Sequence, residues 1–576
     1  MIRRLSRRAL LGVGPTVLAS CVRRNPYFGK PTPPPTQTLV YEIGGEPSSL
    51  DPATCLGNTE VYVMHALDSL TALDPFTLEP AAALATHYEV DSRGTQYTFF
   101  LRGHPRPRGI RLPNSDSLPS EFSRGRKAPP DRTPAFWSDG TPITADDFVY
   151  SWRRIVDPAT AAPLAYYLTP LGNYDEVVKG LKPSTMLAVH AVDQFTFQFE
   201  LAAPMPSFPR LLWQPLLAAV PSQSIEAARR RGQESSWTEP AHYVSSGPFL
   251  LREWKPFDRV VLTKNPRYWE AQSVVMEEIV FFPISNGTTN VNLYKAGAMQ
   301  SMNPRLIPPL FVPTLRKKKD FGTSRALRTL SYTFNVTQPP LNRLMLRYAL
   351  NLATDKVAIA AFLGAGQKPA KGMVPPLPGY PPVQTLPVSI GGRELNVLAF
   401  DPPVARELLS AEGIADLELS IIVAARPRSK EIAAIVQGQW LEHLGIRLNL
   451  NFQEETVWEQ SFIQKQYRQV IEDTWTLFFE DPCDFLYQVG PAHMCTWTDP
   501  KFDEAFTEAN SIVDQTRRMN GLAACEAQLM KAMPSVPIFH DTWAYLEAPY
   551  LRGMKPNPFG APRFKYAWID TNWRPQ

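Results

Sequence analysis

The chain has 576 residues, with 59 Lys and Arg against 55 Asp and Glu and a formal charge of +4. Four of the arginines fall in residues 1–20, which hold no acid, so the rest balances at 55 against 55 and gives no global electrostatic case for nucleic acid or an anionic lipid surface as partner. An apolar content of 44% allows a large core in several lobes, and the 58 prolines, about double the ordinary usage of ~5%, predict many loops and extended connections.

In chain order, Arg3, Arg4, Arg7 and Arg8 precede an apolar run from Ala9 to Ala19 that is too short to span a bilayer, followed by Ser20 and Cys21. A buried N-terminal helix is the competing structural reading, and four arginines ahead of so short a run disfavour it. The segment resembles a bacterial lipoprotein signal, which implies cleavage before Cys21, acylation of that cysteine, and export with a lipid tether in place of a spanning helix. Ser6-Arg7-Arg8 also resembles a twin-arginine export signal, so both export routes stay open. Lys30-Pro31-Thr32-Pro33-Pro34-Pro35-Thr36 forms neither helix nor central strand, and predicts an extended spacer that holds the body off a membrane.

Beyond the spacer, strands and helices alternate. Gln96 to Leu101 and Phe195 to Leu201 read as strands, the second with an aromatic at every other position. Gly103 to Ala135 is rich in Pro, Gly, Ser and Arg without periodicity, and reads as a long surface insertion. Thr144 is an N-cap for a helix from Ala145, with Asp147 as the capping-box acid and Phe148 and Trp152 on its core face. Leu341, Leu344, Met345, Tyr348 and Leu352 share one helical face; Asp401-Pro402 opens another helix that Gly413 closes; and Leu448, Leu450 and Phe452 alternate as a strand. The pattern is a mixed α/β protein of more than one domain, with no internal repeat and no later apolar run near eighteen residues. Cys483 and Cys495 close a small loop, as a disulfide or as two buried thiols; Cys55 and Cys525 are the other two cysteines of the body.

Several segments in order resemble the oligopeptide-binding proteins, the extracytoplasmic solute-binding components of ABC importers. They are Glu46-Pro47-Ser48-Ser49-Leu50-Asp51-Pro52, the stretch from Leu73 to Pro80, Trp137-Ser138-Asp139-Gly140-Thr141-Pro142 running on to Arg154, Ser246-Gly247-Pro248-Phe249, Asn265-Pro266-Arg267-Tyr268-Trp269, Phe334-Asn335 with Pro339-Pro340, and Asp481-Pro482 before Phe485-Leu486. The resemblance implies an α/β, bilobal type II periplasmic-binding-protein-like fold with an extra domain and a hinge between lobes. On that pattern, 1–20 is the signal and 21–37 the lipidated cysteine and tether. Segments 38–68, 204–300 and 526–576 make the first lobe, 69–203 the extra domain with insertion 103–135, and 301–525 the second lobe.

The function so implied is capture of a peptide or peptide-like solute between closing lobes and delivery to an ABC transporter permease, by a monomer that uses no metal, cofactor or nucleic acid. Its expected ligand-binding residues are Gly57, Ser245, Ser246, Gly247, Glu472, Thr474, Trp475, Thr476, Phe478 and Glu480. The family's charged anchors differ here. The aspartate that pairs with a peptide ammonium three residues after a tryptophan corresponds to Phe478 after Trp475, an arginine before that tryptophan to Glu472, and an acid after the first Leu-Asp-Pro to Leu56. Either Glu472, Asp473 or Glu480 supplies a shifted countercharge, or Phe478, Phe479 and Leu56 suit a blocked peptide or other uncharged solute. A cavity bordered by Ser246, Gly247, Thr474, Thr476 and Phe478 is expected of a binder, and a collapsed interface of a structural lipoprotein that has lost its solute.

An exported hydrolase is the rival class. No His-Glu-x-x-His occurs and no two of the 8 histidines lie within about ten residues of each other; Gly322-Thr323-Ser324-Arg325-Ala326 is one glycine short of a nucleophile elbow. Asp146 and Asp147 are adjacent on a helix and diverge, which suits solvent and capping rather than acid-base work.

Overall fold

A computed structural model of the chain describes residues 25–55, 59–124, 126–490, 495–560 and 562–575. Cys21 and Leu56-Gly57 lie outside them. Three sheets organise the fold. The first is four-stranded, in the order Thr38–Glu42, Glu278–Phe282, Arg259–Lys264, Phe249–Lys255, with the first pair parallel and the rest antiparallel. A second sheet is five-stranded and antiparallel, in the order Ile110–Arg111, Ala85–Val90, Gln96–Leu101, Thr196–Glu200, Val189–Asp193. The third is six-stranded, in the order Lys368–Pro369, Ser535–Leu546, Phe321–Phe334, Val470–Thr476, Glu418–Ala424, Arg447–Gln453; its last three strands are parallel.

Local signals are realised closely. Phe197 and Phe199 are buried, and Trp152 of the helix Ala145–Val156 meets Phe197 edge-on at 5.0 Å, so the alternating aromatics form the face that the helix covers. Thr144 and Asp147 form the capping box. Asp401 accepts from the Val404 amide at 3.2 Å at the start of Pro402–Ala411, and Gly413, at φ 65°, turns the chain after it. The helix expected from Leu341 runs Leu344–Leu352, with Leu341 buried in the turn before it. Strand Arg447–Gln453 lies on a sheet edge, so Leu448 is buried while Phe452 stays exposed.

Three boundaries are corrected. The insertion 103–135 is not a free surface loop: Ile110–Arg111 extends the five-stranded sheet, Leu112 and Phe122 are buried, and the Ala82 amide donates to Pro113 O at 2.7 Å. The spacer does not run free to residue 37. The Phe28 and Gly29 amides each donate to the Asp320 carboxylate at 2.8 Å, Lys319 N donates to Pro26 O at 2.9 Å, and Tyr27 meets Trp573 edge-on at 5.6 Å. Gly29 is required there, since a Cβ would lie 2.6 Å from the Tyr294 ring. Finally, 526–576 does not belong to the first lobe as a unit. Strand Ser535–Leu546 pairs with Phe321–Phe334 in the six-stranded sheet, and only the chain beyond it returns to the first lobe, where Phe564 packs on Tyr41 at 5.2 Å and its amide donates to His65 Nε2 at 3.0 Å. A buried apolar strand carries no mark of the sheet it joins. Cys483 and Cys495 are both buried and unpaired.

Candidate functional site

The lobes meet where residues 478–483, leaving strand Val470–Thr476, dock against residues 207–214, which follow the five-stranded sheet in the chain. Gln214 Nε2 donates to Phe478 O at 2.7 Å, and the Tyr167 ring meets Phe478 edge-on at 4.6 Å. Arg518 grips Asp481 with two bonds of 2.7 and 2.8 Å and reaches Ser207 Oγ at 3.3 Å, while Arg210 holds Glu79 at 2.8 Å and lies 3.6 Å from Asp481. Behind this seam a small pocket of about 10 Å³ is walled by Glu60, Leu164, Tyr167, Gln214, Leu217 and Phe478. A second cavity, of about 40 Å³, lies at the junction of the two main sheets, against Tyr41, Ser301, Ser324, Trp543, Tyr545 and Glu547.

The expected site residues separate into groups. Phe478 lines the first pocket. Ser245, Ser246 and Gly247 do not; they are buried in the first lobe, where Ser246 Oγ accepts from Asp68 N at 2.9 Å and the Gly247 amide donates to Ala66 O at 2.9 Å. A Cβ at 247 would lie 2.8 Å from the Ala66 carbonyl carbon, so the glycine serves close packing of backbones. Trp475 is buried between Phe462 and Phe485, at 5.4 and 6.2 Å, and is core. Thr474 and Thr476 are half-buried on the strand face that Glu472 shares.

The proposed countercharges are engaged elsewhere. Glu472 accepts from Ser429 Oγ at 2.7 Å, and burial raises its carboxyl although Arg426 pulls it back. Asp473 faces the other side of the sheet, where burial raises it strongly, and Glu480 is ion-paired with Arg325. The acid at the Phe478 pocket is Glu60, pushed up to about 7 by burial, with Arg305 acting in the opposite direction.

Sequence reasoning missed Glu60 and a group of four arginines. Arg328 lies on the long strand Phe321–Phe334 opposite Thr476; Arg426 and Arg428 follow strand Glu418–Ala424; Arg305 follows a segment whose Asn303 amide donates to both Glu42 carboxylate oxygens at 2.9 Å on the first sheet's edge strand. Arg426 is ion-paired with Glu455, and Arg428 with Asp541 at 2.6 Å. Burial alone would raise Asp541, but Arg428 and Arg328 outweigh it and hold the carboxyl below its usual range. Arg328 is itself lowered to about 9, by burial first and then by Arg426, Arg305 and Arg428, against the pull of Asp541. A signal was available: Arg426 and Glu455 follow the carboxyl ends of two parallel strands, where open α/β sheets receive ligands. Among the described residues no cluster of His, Cys, Asp and Glu could hold a metal ion, and no helix is long and apolar enough to cross a membrane.

Comparison with known proteins relates this chain to a family and to solved structures. Residues 132–493 match the family described as bacterial extracellular solute-binding proteins, family 5 (middle). The chain is 30% identical over 532 residues to the periplasmic oligopeptide-binding protein OppA of Salmonella typhimurium, covering 90% of this chain and 89% of that protein. In structure it is similar to Haemophilus influenzae OppA in complex with the peptide RPPGFSPFR, at TM-score 0.79, 25% identity and coverage of 93% and 100%. It is also similar to the Escherichia coli murein tripeptide binding protein MppA, at TM-score 0.80, 25% identity and coverage of 93% and 99%. The unliganded open form of MppA fits less well, at 0.66 with 25% identity and coverage of 93% and 98%, so the lobes here are not set as in that open form.

Proposed function

Because the chain belongs to family 5 of the bacterial extracellular solute-binding proteins, we propose that it captures peptides or peptide-like solutes outside the cytoplasm between its two lobes and presents them to the permease of an ABC importer. Residues 1–20 direct its export, and a lipid on Cys21 holds it at the membrane. The observation that carries this reading is the seam at Phe478: a partly apolar pocket walled by both lobes, at the position where the family's pattern places an end of the ligand. A ligand that contacts both walls stabilises the closed arrangement by its differential affinity for it, and the permease then reads the closed form. With an aromatic ring at 478, the ligand's amine end meets an apolar wall, which suits a peptide-like solute whose amine is blocked or displaced in register.

Thermal unfolding of the purified protein with defined peptide mixtures, and small-angle scattering of the same samples, test the proposal. Ligand at a hundredfold excess over Kd should add about 2.7 kcal/mol of stability and reduce the radius of gyration. A protein whose melting and dimensions ignore both peptide mixtures and cell extracts would fit the structural-lipoprotein reading instead.

A further inference from the structure

The balanced total charge hides a local excess. Arg316, Lys317, Lys318 and Lys319 stand in a row between the short helix Val312–Leu315, whose two end residues are buried, and strand Phe321–Phe334. Arg316, Lys317 and Lys319 are exposed and Lys318 is half-buried; among the described residues none of the four is ion-paired with an acid. Two more exposed and unpaired lysines adjoin the strap that precedes the first strand. Lys295 Nζ lies 5.7 Å from the Phe28 ring centroid, and the Lys30 side chain lies against Gly297. The acids beside the run face inward. Asp320 is buried and accepts from the Phe28 and Gly29 amides and Tyr294 Oη, while Glu547, whose amide donates to Asp320 O at 3.0 Å, lines the second cavity.

A charge run by itself marks only a solvated surface; the place of this one gives it a partner. Lys318 Nζ donates to Asn25 O at 2.7 Å and Lys319 N to Pro26 O at 2.9 Å, so the chain upstream of Asn25 departs from the body beside these cations. Cys21 is four residues further back, a reach of at most about 14 Å when fully extended, and Arg23 and Arg24 between them add positive charge. A lipid on Cys21 therefore draws this face toward the headgroups. We propose that Arg316 to Lys319, with Lys30 and Lys295, form a docking surface for an anionic bilayer, so that the lipid tethers the body and the cations set which side of it faces the membrane. The inference rests on the lipid-tether reading and deepens it: a polybasic patch next to a lipid is a second signal that strengthens anchoring. At physiological ionic strength, where charges are screened over about 8 Å, the patch is too weak to retain the protein unaided, and Cys21→Ala is still released in the cell.

The test separates the patch from the lipid by using the chain from residue 21 with Cys21→Ala. Its co-sedimentation is measured with vesicles of phosphatidylcholine alone and with vesicles of phosphatidylcholine and phosphatidylglycerol, in dilute buffer and in concentrated salt. The protein should partition onto the acidic vesicles in dilute buffer, leave them in salt, and ignore the neutral ones. Replacing Arg316, Lys317 and Lys319 together by Gln should weaken partitioning at least about tenfold without changing the melting temperature, since Lys319 holds the strap through its backbone. A control that removes the same charge elsewhere, Arg230→Gln, Arg231→Gln and Lys501→Gln, should bind like the parent. Failure to bind acidic vesicles, equal binding to neutral ones, or equal losses in the two triple variants overturns the proposal. Should the first triple variant fail to fold, Arg316→Gln with Lys317→Gln is read in the same way. The intact mass of the N-terminal peptide from the envelope protein reports the lipid separately, so a missing acyl group defeats the tether reading while the vesicle result still decides the surface.

Discussion

Glu526 shows how burial sets the chemistry of single groups in this protein. Its carboxylate accepts from the Val374 amide at 2.8 Å and from Tyr380 Oη at 2.7 Å, yet burial pushes it up from 4.5 to about 7. The folded protein holds this proton where the unfolded chain has released it, so the group's contribution is complete below pH 4.5 and is lost as pH rises to about 7, at ~1.4 kcal/mol per pH unit. Glu526→Gln keeps an acceptor and removes the titration. Urea unfolding of the variant should give a stability above wild type at pH 8 and equal to it near pH 4; two parallel pH curves would defeat the argument. Identifying such buried acids from the sequence alone is not feasible, and the expected countercharges show why. Glu472 and Glu480 stand at suggestive spacings, but Ser429 and Arg325 engage them from 43 and 155 residues away. The group of four arginines was hidden for the same reason, since Arg305, Arg328, Arg426 and Arg428 become neighbours only when distant segments assemble.

At the scale of elements, what depends on near neighbours was legible. The capping box of Thr144 and Asp147, the Asp401 cap and the alternation over Thr196–Glu200 need only a few residues of context. Sheet membership needs the whole chain, which is why Ser535–Leu546 was assigned to the wrong lobe and why the spacer was drawn too long. The spacer error has a testable side. Asp320 accepts from Phe28 N, Gly29 N and Tyr294 Oη and so pins the strap that precedes the first strand. Asp320→Ala should cost roughly 2–3 kcal/mol by leaving those donors without their acceptor. Limited proteolysis should then cut near residues 25–30 several times faster than in the wild type, with other sites unchanged. Equal protection of the strap in both proteins would mean that Tyr27 against Trp573 holds it unaided.

For the molecule as a whole, the strap places the start of any free tether at or before Asn25, so only a few residues separate the folded body from Cys21. A lipid there would keep the body close to the bilayer. Cys21→Ala should move the protein from the membrane pellet to the soluble fraction of the cell envelope without changing its melting temperature, whereas a variant still found with membranes would rule out the lipid as its anchor.

The return of the chain after Ser535–Leu546 also dictates an order of events during synthesis. Phe559, Phe564, Ala567 and Ile569 are interior residues of the lobe that begins at Thr38, and the Phe564 amide closes over His65. While the ribosome is still making the second lobe, that earlier half lacks part of its interior and exposes apolar surface that a holdase can recognise. A nascent chain stalled before Phe559 should therefore stay protease-sensitive in its N-terminal half, however long it is given to mature.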